Sequence, residues 1–273
     1  RDRLRSRGLG DVYKRQAGYW AVRSYLDLEN LDFVFWVLGI TTSIVAVLYV
    51  LNIFNIDLIG AYADTAVVER AQFFSTLGQK DFNGCFFSVA LPIVFYQFLN
   101  VKDTRTAVWT GIPAAFGALA LAVVDSEALA LGIGAAVMVL VCHKNFTTRH
   151  LRRAALISAA FFGWAAWMHY MRASVYTQGG TALLAKLGAW QVALPCMAAS
   201  LLLWLVLFVL ARKGIAAQAP LYLPGRVITI AVLAVGALAF VLANAMPNLP
   251  LPESLHNLLV FNDDWGTYRG VAW

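Results

Sequence analysis

Seven runs of apolar residues, each close to the length of a bilayer crossing, constrain this chain more than any other feature. They are Phe33–Leu51, Gly84–Leu99, Ala107–Val124, Ala128–Cys142, Ala154–Met171, Ala189–Ala211 and Val227–Met246. Most reach the roughly 17–25 residues that a tilted helix needs to cross hydrocarbon, and two are a little short. None shows the alternation of a β-barrel strand. In lipid each backbone N–H and C=O must find its partner within the segment, so the runs are expected to be helices. The expected fold is all-α, a polytopic transmembrane helix bundle with about seven spans of a larger bundle. Composition agrees: 60% of residues are apolar and only 13% charged, whereas a soluble domain is about one quarter charged.

The charges between the runs orient them. The segments Asn100–Thr106, His143–Arg153 and Arg212–Arg226 carry nine basic residues (Lys102, Arg105, Lys144, Arg149, Arg152, Arg153, Arg212, Lys213, Arg226) against one acid, Asp103. The alternate set carries nine acids, among them Asp57, Asp81, Asp125, Glu127, Asp263 and Asp264, against five basic residues. By the positive-inside rule the first set is cytoplasmic, with the N-terminus on that side and Asn52–Asn83 and Pro247–Trp273 outside. Tyr19, Trp20, Trp109 and Trp190 stand near run ends, where aromatic side chains anchor at the membrane interface.

The first sixteen residues, Arg1 to Gln16, match nothing that follows and resemble a translated sequencing adapter. They are expected to be non-native, leaving 17–273 as one transmembrane domain truncated at its C-terminal end. Six basic residues against Asp2 and Asp11 supply +4 of the formal charge of +6 there, so only +2 remains. The pI near 9.3 is therefore no argument for nucleic-acid binding. Cys85, Cys142 and Cys196 stand singly without metal-ligand spacing and read as buried small hydrophobes. His143 and His150 read as solvated loop residues, His169 as packed near the outer end of its span, and His256 as an outer-loop residue without a partner. There is no Gly-rich phosphate loop, HExxH or nucleophile elbow, so no cofactor or metal is implied.

Three polar places fall on the outer side. The stretch Ser75-Thr-Leu-Gly-Gln-Lys-Asp-Phe-Asn83-Gly84 leads into a run carrying Pro92. It reads as a turn with an N-capped helix, or as a polar lip over an outer cavity. Pro92 itself implies a kink or local break whose freed carbonyl needs a partner. Asp125-Ser126-Glu127 is a tight turn that is either a solvated hairpin tip or the lining of a polar site. The tail Phe261–Trp273 joins Arg269, whose planar fork matches phosphate oxygens, to two acids and to aromatic rings that can stack on sugars.

In their order and on their common side, these three places resemble the O-antigen ligase and O-antigen polymerase superfamily of bacterial membrane glycosyltransferases. Thr76 through Pro92 looks like the Gly-Asn-x-Asn stretch before a proline-bearing span. Val124-Asp-Ser-Glu-Ala-Leu-Ala-Leu-Gly132 looks like the Ser-Asp-Ser form of a later span opening. Asp264-Trp-Gly-Thr-Tyr-Arg269-Gly-x-x-Trp273 looks like the Gly-x-x-Arg-Gly-x-x-Trp stretch that opens a large outer loop. The resemblance covers about Phe33 to Trp273.

The resemblance implies transfer or polymerisation of a glycan carried on polyprenyl pyrophosphate, outside the bacterial cytoplasmic membrane and without a metal. It assigns Arg269 as the catalytic pyrophosphate ligand and Asp264, Trp265, Asp125, Glu127 and Asn83 to substrate binding. The implied partners are the lipid bilayer and the lipid-linked glycan. Two departures qualify it. Glu127 stands where many members carry Arg, and the acceptor-activating His of the large loop would fall after Trp273. The chain is accordingly expected to be an N-terminal portion, inactive alone. A transporter or flippase for a lipid or polysaccharide is the competing expectation, although the internal repeats common in transporters are not visible. A membrane subunit without chemistry is the third.

Overall fold

The computed structural model describes residues 31–54, 56–60, 75–78, 80–124, 126–175, 187–214 and 218–246, with isolated positions at 16, 19, 20, 23, 24 and 260. Among these residues the fold is all helical. Seven helices follow one another: α1 Leu31–Ile53, α2 Lys80–Asn100, α3 Thr104–Val123, α4 Glu127–Cys142, α5 Thr148–Val175, α6 Trp190–Arg212 and α7 Tyr222–Ala245. Five of them (α1, α2, α3, α6 and α7) are long and apolar enough to cross a membrane, and α4 is a shorter apolar helix. Helix α5 is the longest, and arginines crowd its first two turns.

The surface of α6 says what solvent it expects. Leu201, Leu202 and Leu203 are consecutive and all exposed, as are Leu205, Val206 and Val209. Three consecutive helical residues point in directions about 100° apart, so no side of α6 is reserved for water. A helix that is apolar all round and yet unburied in protein belongs in hydrocarbon. Helix α7 repeats the pattern with Val227, Ile228, Ile230, Val232 and Leu233 exposed.

The chain forms two compact units, Arg1–Gly134 with Arg149–Ala217, and Ala135–Thr148 with Gln218–Trp273. In the first, α1, α2 and α3 pack on one another through small residues. Ala114, Ala118 and Ala122 form a buried stripe on α3. A Cβ on Gly39 of α1 would meet Pro113 of α3 at 3.2 Å, and one on Gly117 would meet Leu91 and Phe95 of α2 at 3.0 and 3.1 Å. Close backbone approach through small residues is how helices gain contact where lipid offers no hydrophobic drive. Tyr49, Phe87, Leu91, Leu119, Leu129 and Met168 fill the core, and the Trp164 indole donates to the Ala115 carbonyl at 3.0 Å. Helices α5 and α6 are clipped by Ser158 and Ser200, whose hydroxyls lie 3.1 Å apart. In the second unit an antiparallel bridge joins Thr147 to Pro220, and Gly225 lets α7 pack directly against the Val141 carbonyl.

The helices overrun the apolar runs at charged ends. Arg149, Arg152 and Arg153 lie on α5 and Arg226 on α7, not in connecting loops. The reason is that an apolar run stops at its first charge, whereas the backbone ladder does not. Two of these arginines close other helices. The Arg153 guanidinium donates to the carbonyls of Phe98, Leu99 and Val101 at the end of α2 and lies 5.5 Å from the Phe98 ring centroid. Arg226 Nε donates to the Cys142 carbonyl at the end of α4 (3.1 Å). Cations placed on terminal carbonyls satisfy orphan acceptors and the negative helix end together.

Several single-residue expectations are corrected. His150 is buried, not solvated, and its Nε2 lies 3.2 Å from Asn100 Oδ1. His169 is exposed, not packed, and Cys85 is exposed while Cys142 and Cys196 are only half-buried. An apolar run does not reveal which of its sides meets protein. Pro92 does not break α2, which is continuous from Lys80 to Asn100. The carbonyl it deprives of a helical donor is that of Ser88, four residues back. Gly132 of α4 packs directly against it: a Cβ there would lie 3.2 Å from Ser88 O and 2.6 Å from Ser88 Cβ.

Candidate functional site

The polar stretch after α1 folds back along that helix. Ser75 Oγ donates to the Val45 carbonyl at 3.2 Å, and the Ser75 N–H donates to Asn52 Oδ1 at 2.8 Å. Val45 lies eight residues before the end of α1, so Ser75 reaches about 12 Å down the helix at 1.5 Å per residue. Ser75 adopts φ of 60°, uncommon for a residue with a side chain, and is 3% exposed. Gly78, with φ of 83°, supplies the next turn. Local sequence held no signal for Ser75, since its two partners are 23 and 30 residues away.

Asn83 is fully buried in the first turn of α2. It is not the N-cap residue, because the helix already begins at Lys80. The next residue, Gly84, abuts Ser126 so closely that a side chain there would occupy the volume of the Ser126 hydroxymethyl group. Two of the three polar places therefore meet: the opening of α2 and the turn between α3 and α4. Ser88 against Gly132 continues the same helix-on-helix contact about one turn further along α2. The sequence carried the signal for this seam in Gly84 and Gly132, although not their partners.

Glu127 opens α4, but only its backbone is described. Asp125, Asp264, Trp265 and Arg269 lie outside the described residues. The described part of the site holds the buried Asn83 amide and the half-buried Ser126 hydroxyl, groups of the kind that hydrogen-bond a hydroxylated ligand. Elsewhere in the bundle, Thr42 in the middle of α1 is a buried polar residue that sequence reasoning missed. It is fully buried, and its Oγ1 has no hydrogen-bond partner among the described residues. No group of three or more His, Cys, Asp or Glu that could hold a metal ion is found among the described residues.

Comparison with family models, with curated proteins and with solved structures returns no match for this chain.

Proposed function

We propose that this chain belongs to an enzyme that transfers or polymerises a glycan linked to polyprenyl pyrophosphate, at the outer face of the bacterial cytoplasmic membrane. The observation that supports the reading is the contact of Gly84 with Ser126. It joins two stretches, distant in sequence, that were singled out for one chemistry. A buried amide and the Ser126 hydroxyl at one helix seam, with Asp125 and Glu127 adjacent in sequence, suit recognition of a sugar at the lipid boundary. In this reading Arg269 holds the pyrophosphate as a planar fork and stabilises charge on the leaving group. Asp264, Trp265, Asp125, Glu127 and Asn83 contact the glycan. The basic ends of α5, α6 and α7 face the cytoplasm.

The test is glycan transfer in proteoliposomes that contain the full-length enzyme to which this chain belongs, a polyprenyl-pyrophosphate-linked glycan and a lipid or sugar acceptor. Transfer is expected, and Arg269→Lys is expected to slow it about 100-fold, as removal of one preorganised charge-stabilising donor does. Movement of the labelled lipid-linked sugar across the bilayer without transfer would favour a flippase and overturn the enzymatic reading.

A further inference from the structure

The start of α5 is electrostatically incomplete. Arg149, Arg152 and Arg153 fall within its first six residues, and the first turn holds no acid. Residues three and four apart share a helix face, so Arg149 repels both of the others, and cations are disfavoured at a helix N-terminus. Arg153 is satisfied by the carbonyls that end α2. Arg149 and Arg152 have no such outlet. Arg149 Nε is buried without a hydrogen-bond partner, and neither side chain meets a carboxylate among the described residues. Asp103, the one acid of the basic segments, already accepts from the Thr106 N–H and hydroxyl.

A third guanidinium, Arg212 of α6, joins Arg152. Arg152 and Arg212 both lie over the Phe208 ring, at 5.8 and 5.2 Å from its centroid, and Phe208 stacks in turn on Trp204. One ring thus gathers two like charges that would otherwise separate. Within the last two turns of α6, Leu205 and Val209 are apolar and exposed. Cations at the start of α5 and the end of α6, with exposed apolar residues on α6 nearby, match the chemistry of an anionic phospholipid, with phosphate at the charged end and chains alongside.

We propose that Arg149, Arg152 and Arg212 form a binding site for the headgroup of an anionic phospholipid whose acyl chains lie along α6. The site is separate from the proposed glycan site and does not depend on it. The test is native mass spectrometry of the whole chain in detergent, with dioleoylphosphatidylglycerol and dioleoylphosphatidylcholine added in equal amounts. The wild type is expected to retain phosphatidylglycerol at least about tenfold over phosphatidylcholine. Arg149→Gln/Arg152→Gln/Arg212→Gln is expected to abolish the preference, whereas Lys102→Gln/Arg105→Gln keeps it. Helical content by circular dichroism checks that each variant is folded. Should the glutamine variant not fold, Arg149→Lys/Arg152→Lys/Arg212→Lys replaces it and is expected to lower the preference, because an ammonium lacks the fork. Equal retention of the two lipids, or equal loss in the control variant, overturns the proposal. Displacement of phosphatidylglycerol by equimolar inorganic phosphate assigns the site to a free anion and also overturns it.

Discussion

Gly84 of α2 and Ser126, one residue before α4, are in direct contact, with no room for a side chain at position 84. The partners are 42 positions apart in the chain. The contact draws the polar entry to α2 and the start of α4 into one place. The proposed glycan site is best sought there.

Gly84→Ala is therefore expected to destabilise the protein by about 1–3 kcal/mol, the usual range for forcing a methyl group into packed space. Thermal unfolding in detergent, followed by tryptophan fluorescence, measures the loss. Ser126→Gly in the same chain is expected to recover most of it, since it vacates the volume the new methyl needs. Additive losses in the double variant would separate the two residues.

Arg153→Ala is expected to cost about 2–3 kcal/mol, because it strips a charged donor from terminal carbonyls of α2. Arg153→Lys recovers only part, as one ammonium cannot span acceptors that a planar guanidinium reaches together. Unfolding midpoints of the three proteins decide the matter.

Ser200 Oγ donates to the Cys196 carbonyl at 2.8 Å, which leaves Ser158 as donor to Ser200. Ser200→Ala, which strands the Ser158 hydroxyl, is expected to cost more than Ser158→Ala. Interhelical hydrogen bonds of this kind in membrane proteins average about 0.6 kcal/mol. A larger cost for Ser158→Ala would contradict this donor order.

Asp103 caps α3, and its carboxyl is held below the usual carboxylate value first by the backbone N–H of Thr106 and then by the Thr106 hydroxyl. A depressed folded-state pKa stabilises the protein above the unfolded-state pKa, and that contribution disappears as pH falls through the folded value. The stability difference between wild type and Asp103→Ala is thus expected to stay constant through the neutral range and shrink only in acid, below about pH 4. A difference that changed between pH 6 and 8 would contradict this cap.

Asn83 illustrates how far sequence reading goes. Its position before an apolar run marked it as of interest, in a stretch that reads either as a turn with an N-capped helix or as a polar lip. The structure instead buries it within the first turn of α2. His150 is similar: its neighbours Arg149, Arg152 and Arg153 made it look solvated, and it is buried against Asn100. Helical phase relative to a neighbour, which places each residue inward or outward, is set by contacts that the run of letters does not contain.

The sequence by itself determined the solvent and the secondary structure. Runs of apolar residues of bilayer length admit only helices in lipid, and the helices found follow the runs with shifts at their charged ends. Tertiary structure alone decided which groups meet. It sent Arg153 to the end of α2, set Gly132 on the carbonyl that Pro92 frees, and brought Ser75 back along α1 to Val45. Those pairings span 30 residues or more, and they follow from how close two backbones can approach and which carbonyls are left open. Neither quantity is a property of a local segment.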